Sequence, residues 1–247
     1  MNVSGKTQLL LPHLWSLQLF TNHINMAPSI QKNTTLIEHA KQLQNIPWCE
    51  EYEKMISGMF YNSTGPILEN ARMRARRLAL KYNSYFPDDA TPESLSKDRE
   101  AKLKEMLGSI GSGCYIEPPF FIDYGCNIQM GSGVYSNFNL TILDCGFVTI
   151  GDRTMFGPGV SIFAATHETD VQSRRDLLEY AREVIIGDDC WIGGHVVIMP
   201  SVTIGNGCTI GGSSVVTKDI PAFSVAIGSP ARVVKKVDPV PPIPKSA

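Results

Sequence analysis

His167 is the residue of this 247-residue chain best suited to moving a proton. Imidazole is the side chain whose ordinary pKa lies closest to neutrality, so it can take a proton from a weak nucleophile and return it later. A lone histidine is more often inert. His167 differs because it directly precedes a polar stretch, Glu168 to Glu183, rich in arginine and acid. Trp191 and His195 follow closely, and Lys218 and Arg232 are cations of the kind that hold phosphate. Metal ligation is not indicated. Six cysteines are scattered without Cys-x-x-Cys spacing, which argues against both a zinc cluster and a disulfide framework.

The elements that must position these residues repeat every six positions. A β-branched residue recurs at Ile186, Ile192, Ile198, Ile204, Ile210 and Val216, with Gly behind it at 187, 193, 205 and 211. The fifth places hold Cys190, Val196, Val202, Cys208, Ser214 and Ile220, and Ile150, Phe156 and Ile162 keep the same phase. A helix repeats at about 3.6 residues and a strand at 2, so neither alone gives six. Short strands joined by tight turns, three per coil, give a triangular prism filled by stacked aliphatics. The fold class expected is therefore all-β dominated, a parallel β-helix whose coils are stable only collectively. First and fifth places point inward, Cys126 among them. His167 and Trp191 at the sixth place and His195 at the fourth project outward. An outward Trp wastes apolar area unless a flat ligand or another chain covers it.

Around the prism the chain divides into four parts. Residues 1–33 carry no acid and include a broken apolar run, Leu9 to Phe20, read as a disordered extension rather than a cleaved signal. Residues 34–110 form a helical cap. Helices are expected near Leu36–Leu43, from Cys49, over Pro66–Tyr85, and from Thr91-Pro92 to Gly108. Residues 111–236 are the β-helix, with coils from about Ile116. The segment Asp144 to Phe147 breaks its phase, and the insert 168–183 protrudes as a loop. Residues 237–247 are a Pro-rich tail. A net charge of −2 without a basic run implies neither nucleic acid nor an anionic membrane. Thiols at inward places fit a reducing compartment, hence a cytoplasmic location.

Several segments resemble the maltose/galactoside O-acetyltransferases: Tyr135 to Asp144, Ala165 to Glu168, Trp191 to Gly194, Val216 to Pro221 and Gly228 to Arg232. Tyr52 to Tyr61 and Arg72 to Arg77 resemble the helical cap of those enzymes, the fungal maltose acetyltransferase-like group above all, and the likeness spans roughly 48–236. The resemblance implies a left-handed β-helix, a homotrimer, and transfer of acetyl from acetyl-CoA to a sugar hydroxyl. It makes His167 the catalytic histidine and brings Asn137, Tyr135 and Arg72 to the acceptor. Trp191, Gly193, Gly194, Gly212, Ser213, Thr217, Lys218 and Arg232 then belong to the cofactor. Three departures fall on the acceptor side: Asn62 where a sugar-binding Asp is found, Cys145 beside the retained Asp144, and Glu179 in place of Met.

The chemistry needs little more. A thioester is already activated, so one neutral imidazole can start direct attack, contributing about 10²–10⁴-fold, and no metal is called for. Backbone N–H groups near Gly193-Gly194 are candidates for the oxyanion. A carbonic anhydrase on the same scaffold needs three zinc-binding histidines, whereas the coils hold His167 and His195. A non-catalytic assembly subunit would not need His167, Trp191 and Arg232 together. Other acceptors, a drug, an amino sugar or a serine hydroxyl, stay open.

Overall fold

The hexad places decide which side chains are buried. In the computed structural model, which describes residues 27–241 and 243, every first- and fifth-place residue from Ile186 to Ile220 is at most 4% exposed. Their strands stack as three parallel sheets, the faces of a prism. The first face runs Phe120–Ile122, Leu140–Leu143, Ser161–Phe163, Val197–Ile198 and Val215–Val216. The second runs Ser109–Ile110, Ile128–Met130, Val148–Ile150, Val184–Ile186 and Thr203–Ile204. The third runs Tyr115–Ile116, Tyr135–Ser136, Met155–Phe156, Trp191–Ile192, Thr209–Ile210 and Ser224–Ile227, and Arg232–Lys236 closes it antiparallel. The prism thus begins at Ser109, ahead of Ile116, where the period first becomes visible.

Glycine at the corners lets successive coils approach. A Cβ on Gly193 would lie 2.6 Å from Gly212 N and 2.8 Å from Ile210 O, closer than any side chain tolerates. The inward hydroxyl of Ser214 is satisfied: its Oγ donates to Gly211 O at 2.6 Å and accepts from Gly228 N at 3.0 Å.

Four helices form the cap: α1 (Thr34–Ala40), α2 (Glu50–Ile56), α3 (Pro66–Asn83) and α4 (Pro92–Met106). Local chemistry sets their starts. Asn33 caps α1, Cys49 Sγ accepts from Tyr52 N at the head of α2, and Thr91 and Ser94 bond each other's backbone N–H at α4. The helices end before the sequence expectation of Leu43 and Tyr85, at Ala40 and Asn83. The faces of α3 and α4 bearing Ala75, Ala79, Tyr82, Leu103 and Met106 join the prism core.

A second core explains the phase break. Ala40, Tyr52, Met55, Tyr61 and Leu68 pack with Tyr124, Cys126, Cys145 and Phe147 outside the prism. Cys126 therefore faces the cap, not the prism interior that its hexad place suggested. Residues 27–33 also depart from expectation. Lys32 pairs with Glu50 and Glu53 at 2.6 and 2.7 Å, and Ser29 bridges Met59. They belong to the cap; residues 1–26, with the apolar run, lie outside the described residues. No described helix is long and apolar enough to cross a membrane.

Candidate active site

The insert is more ordered than a loop. Ala165–Thr166 pairs antiparallel with Leu178–Ala181, which pairs in turn with Tyr61–Asn62 of the cap, and α5 (Val171–Arg175) closes the hairpin. Asp170 caps α5 through Ser173 N. This small sheet holds His167 at the corner between the first and second faces. His167 Nδ1 lies 3.3 Å from Leu178 O. A carbonyl only accepts, so Nδ1 is the donor there, and in the neutral ring Nε2 presents its lone pair. The ring is half exposed, and Nε2 lies 3.7 Å from Glu179 Oε2.

Around this pair the cap and the corner of the early coils supply polar groups. Arg72 donates from Nη1 to Tyr124 Oη at 2.5 Å and from Nη2 to Ser63 O at 2.7 Å, with its guanidinium 5.5 Å from the Tyr124 ring centre. Asp123 lies 3.5 Å from Arg76 and accepts from Cys145 Sγ at 3.8 Å. Burial raises the Asp123 pKa, against the lowering effect of Arg76 and Arg72. Burial likewise pushes the Cys145 thiol up, which keeps it protonated and inert. Tyr61 Oη is buried without a hydrogen bond, beside the Cys145 thiol but beyond bonding geometry.

One expected acceptor contact is turned elsewhere, and a second is partly engaged. Asp144 is fully buried, and its carboxylate accepts from the N–H groups of Asp123 (3.1 Å), Tyr124 (2.9 Å) and Asn127 (3.3 Å). It staples the turn that presents Asp123 and cannot reach a ligand; burial raises its pKa to about 7. Asn62 is exposed, but its Oδ1 accepts from Thr64 N and Oγ1. Asp123, Tyr124, Tyr61 and Arg76 are the neighbours that sequence reasoning missed. An isolated acid in the run Phe120-Phe-Ile-Asp-Tyr124 was the available signal for the first two.

The other candidates line a different corner, between the third and first faces. Asn137, Gly157, Gly193 and Gly211 stack there through Asn137 N→Phe156 O, Gly157 N→Ile192 O, Gly193 N→Ile210 O and Gly211 N→Ala226 O. Gly193 N–H is therefore committed to the ladder and is not free for an oxyanion. Gly194 and Gly212, one residue on, donate to no ladder acceptor among the described residues, and Ser213 N bonds Gly194 O. Beside this corner Tyr135, Met155 and Trp191 stand in register on the third face, 38%, 49% and 54% exposed. His195 folds over Gly159, where a Cβ would meet its Nδ1 at 2.6 Å.

Thr217 and Lys218 are exposed on the His167 corner, and Arg232 is exposed at the Gly194 corner. The chain thus carries two separate groups of candidate residues. His167, Glu179, Arg72, Asn62, Thr217 and Lys218 occupy one edge of the first face; Tyr135, Asn137, Trp191, Gly193, Gly194, Gly212, Ser213 and Arg232 occupy the other. Six residues of strand and turn separate neighbouring corners by up to about 20 Å, too far for one hydroxyl to touch both.

Two family models match the chain: the maltose acetyltransferase hexapeptide capping motif over residues 54–111 and the six-repeat bacterial transferase hexapeptide over 183–218. Nodulation protein L of Rhizobium meliloti (strain 1021) is 46% identical over 181 residues, covering 73% of this chain and 96% of that protein. The chain belongs to the hexapeptide-repeat maltose/galactoside O-acetyltransferase family. The crystal structure of a maltose O-acetyltransferase from Clostridium difficile 630 superposes with a TM-score of 0.73 at 39% identity, covering 77% of this chain and 99% of that one. A galactoside acetyltransferase in complex with coenzyme A gives 0.71 at 36% identity, covering 77% and 92%. The capping motif spans α3 and α4, and the six-repeat match ends at Lys218. Of the candidate residues, Asn62 and Arg72 fall within the first match, and Trp191, Gly193, Gly194, Gly212, Ser213, Thr217 and Lys218 within the second.

Proposed function

We propose that this acetyltransferase moves acetyl from acetyl-CoA to a hydroxyl of a maltose-, glucose- or galactoside-like sugar, with His167 as general base. The observation that carries the reading is the carbonyl of Leu178 behind Nδ1, which leaves Nε2 of the half-exposed ring on the side of Glu179. The hydroxyl oxygen attacks the thioester carbon as its proton passes to Nε2. The tetrahedral intermediate then breaks its C–S bond, and the departing thiolate takes the proton from the imidazolium. Gly194 N–H, unused by the ladder, is the oxyanion donor. A thioester needs no metal for this step.

Each of the two groups is half of a site, and they close in a homotrimer. The base corner of one protomer meets the glycine corner of the next, which also covers the Tyr135–Met155–Trp191 stripe. Acetyl-CoA then runs along Gly193, Gly194, Gly212 and Ser213 against Trp191, with Thr217, Lys218 and Arg232 toward its phosphates. Arg72, Asn62, Asp123 and Glu179 meet Asn137 and Tyr135 around the sugar. Free-thiol release from acetyl-CoA with a panel of hexoses and maltose tests this directly. His167→Ala should lose about 10²–10⁴-fold in turnover while retaining coenzyme A binding. Near-normal turnover of that variant would refute the base assignment.

A further inference from the structure

Arg182 lies at the root of the hairpin that carries His167, and the chemistry described so far makes no use of it. Its side chain is half-buried and forms no ion pair among the described residues. Instead it donates to three carbonyls: Nη1 to Gly58 O at 3.0 Å and Ala181 O at 3.2 Å, and Nη2 to Ala27 O. Its Cζ lies 5.3 Å from the centre of the Tyr180 ring, which meets Phe60 edge-on. Desolvating a cation costs stability unless its donors are satisfied, so the carbonyls it gathers matter. Gly58 O also accepts from Ser29 N at 2.8 Å. The end of α2, residues 27–33 and the hairpin therefore meet at one oxygen.

The strand register explains these partners. Tyr61 pairs with Glu179 and Asn62 with Leu178. Counted back along both strands, Phe60 opposes Tyr180 and Gly58 opposes Arg182. The backbone ladder stops before that rung, and the guanidinium stands in for it. On the other side, the register Ala165↔Ala181 and Thr166↔Tyr180 sets Arg182 opposite Ala164, and Arg182 N donates to Ala164 O at 2.8 Å. Arg182 is thus the end rung of both ladders, by its backbone toward the prism and by its side chain toward the cap. At the far end of the same strand, Leu178 holds its carbonyl 3.3 Å from His167 Nδ1. Pairings only two residues long fix a register weakly, and a slip by one residue would take that carbonyl off the imidazole.

We propose that Arg182 is a positioning residue for the base: by clamping the root of the hairpin to Gly58 and Ala27, it holds the Leu178 carbonyl against His167 Nδ1 and so fixes where Nε2 points. The inference rests on the reading of His167 as base. On that reading Arg182 touches neither substrate. Its loss acts on turnover and leaves ground-state binding in place. A cleft of about 390 Å³, lined in part by Ser29, Ser57, Gly58 and Glu183, opens beside the guanidinium. It gives a free guanidinium ion a way in when the side chain is cut back.

The test joins a double-mutant cycle to chemical rescue, read by free-thiol release from the full chain with acetyl-CoA and one accepted sugar. Arg182→Ala should lower kcat about 10- to 100-fold and change KM for either substrate by less than about 3-fold. Millimolar guanidinium chloride, but not sodium chloride, should raise the kcat of Arg182→Ala by about 3-fold or more and leave wild type unchanged. Arg182→Lys, which keeps the charge but not the planar fork, should fall between. In the His167→Ala background, Arg182→Ala should cost less than about 2-fold, because the group it positions is gone. A residue that merely supports the fold would cost the same factor in both backgrounds. Losses that multiply, a loss confined to KM, a loss that guanidinium leaves untouched, or a wild-type kcat in Arg182→Ala overturns the proposal while acetyl transfer stands. Should Arg182→Ala fail to fold by circular dichroism, the cycle with Arg182→Lys decides by the same non-additivity. Near-normal turnover of His167→Ala would instead overturn the base assignment.

Discussion

Two variants, each inactive alone, should restore each other when assembled together. His167→Ala removes the base from one corner of the prism, and Asn137→Ala alters the opposite corner, where Asn137 stacks over Gly157 and Gly193. If each site joins the base corner of one protomer to the glycine corner of the next, a mixed ring contains intact sites. In an equal mixture with random assembly, one half of the protomers supply an intact His167 and the other half an intact Asn137, so about a quarter of sites are whole. Recovery should approach about 25% of wild-type activity, against residuals of about 1% or less for His167→Ala alone. The assay is free-thiol release after the variants are unfolded together, refolded, and checked as trimers by light scattering. Mixing folded proteins without unfolding should give no recovery. Refolded trimers no more active than the sum of the separate variants would refute the shared site.

Further outcomes follow from the core and the cap. Asp144 has a folded pKa near 7, above the roughly 3.9 of an unfolded chain. Its stabilising contribution is therefore complete below about pH 4 and lost as pH rises through 7, by about 4 kcal/mol in all. In urea titrations across that range, Asp144→Asn should show a flatter decline than wild type; identical slopes would contradict the assignment. Arg99 is 3% exposed, donates to Tyr115 Oη at 2.5 Å, lies 3.6 Å from Glu117 and stacks near Phe86. Arg99→Ala should cost about 3 kcal/mol by chemical denaturation and leave the coenzyme A affinity of the folded protein unchanged. Gly193→Ala should destabilise the fold by about 2 kcal/mol or more, because its Cβ meets backbone atoms of the next coil rather than a yielding side chain; a Tm equal to wild type would show that the coils can part.

Much of this architecture was legible in the chain because the prism is built from local repetition. Ile186, Ile192 and Ile198 each announce a strand, and Thr91-Pro92 announces a helix start without reference to distant residues. What escaped was set by contacts between separate segments. Cys126 keeps the period yet faces the cap, because the turn at 123–127 is held outward by Asp144 and covered by α1, α2 and α3. Asp144 looked like a ligand contact because its neighbours fall in a family motif; only the three converging N–H groups show it stapling a turn. The pairing of Glu179 with both Tyr61 and His167 joins three stretches more than a hundred residues apart at the extremes, and no periodicity encodes it. Residues 27–33 lack a helical or strand pattern, and ion pairs to α2 hold them.

The parallel coils also act as a ruler. Ile186 and Ile204 stand one above the other in the second face, eighteen residues apart, and each such step advances the axis by about 4.8 Å. The corner bearing the insert and the corner bearing Lys218 are two steps apart, a separation of about 10 Å. Excising a whole coil, or duplicating one, would change that span by a fixed increment while leaving the chemistry at either end untouched. On the proposed function, the reach demanded of a long, flexible cosubstrate is thus written into the number of rungs, and can be altered without redesigning a single side chain at either end.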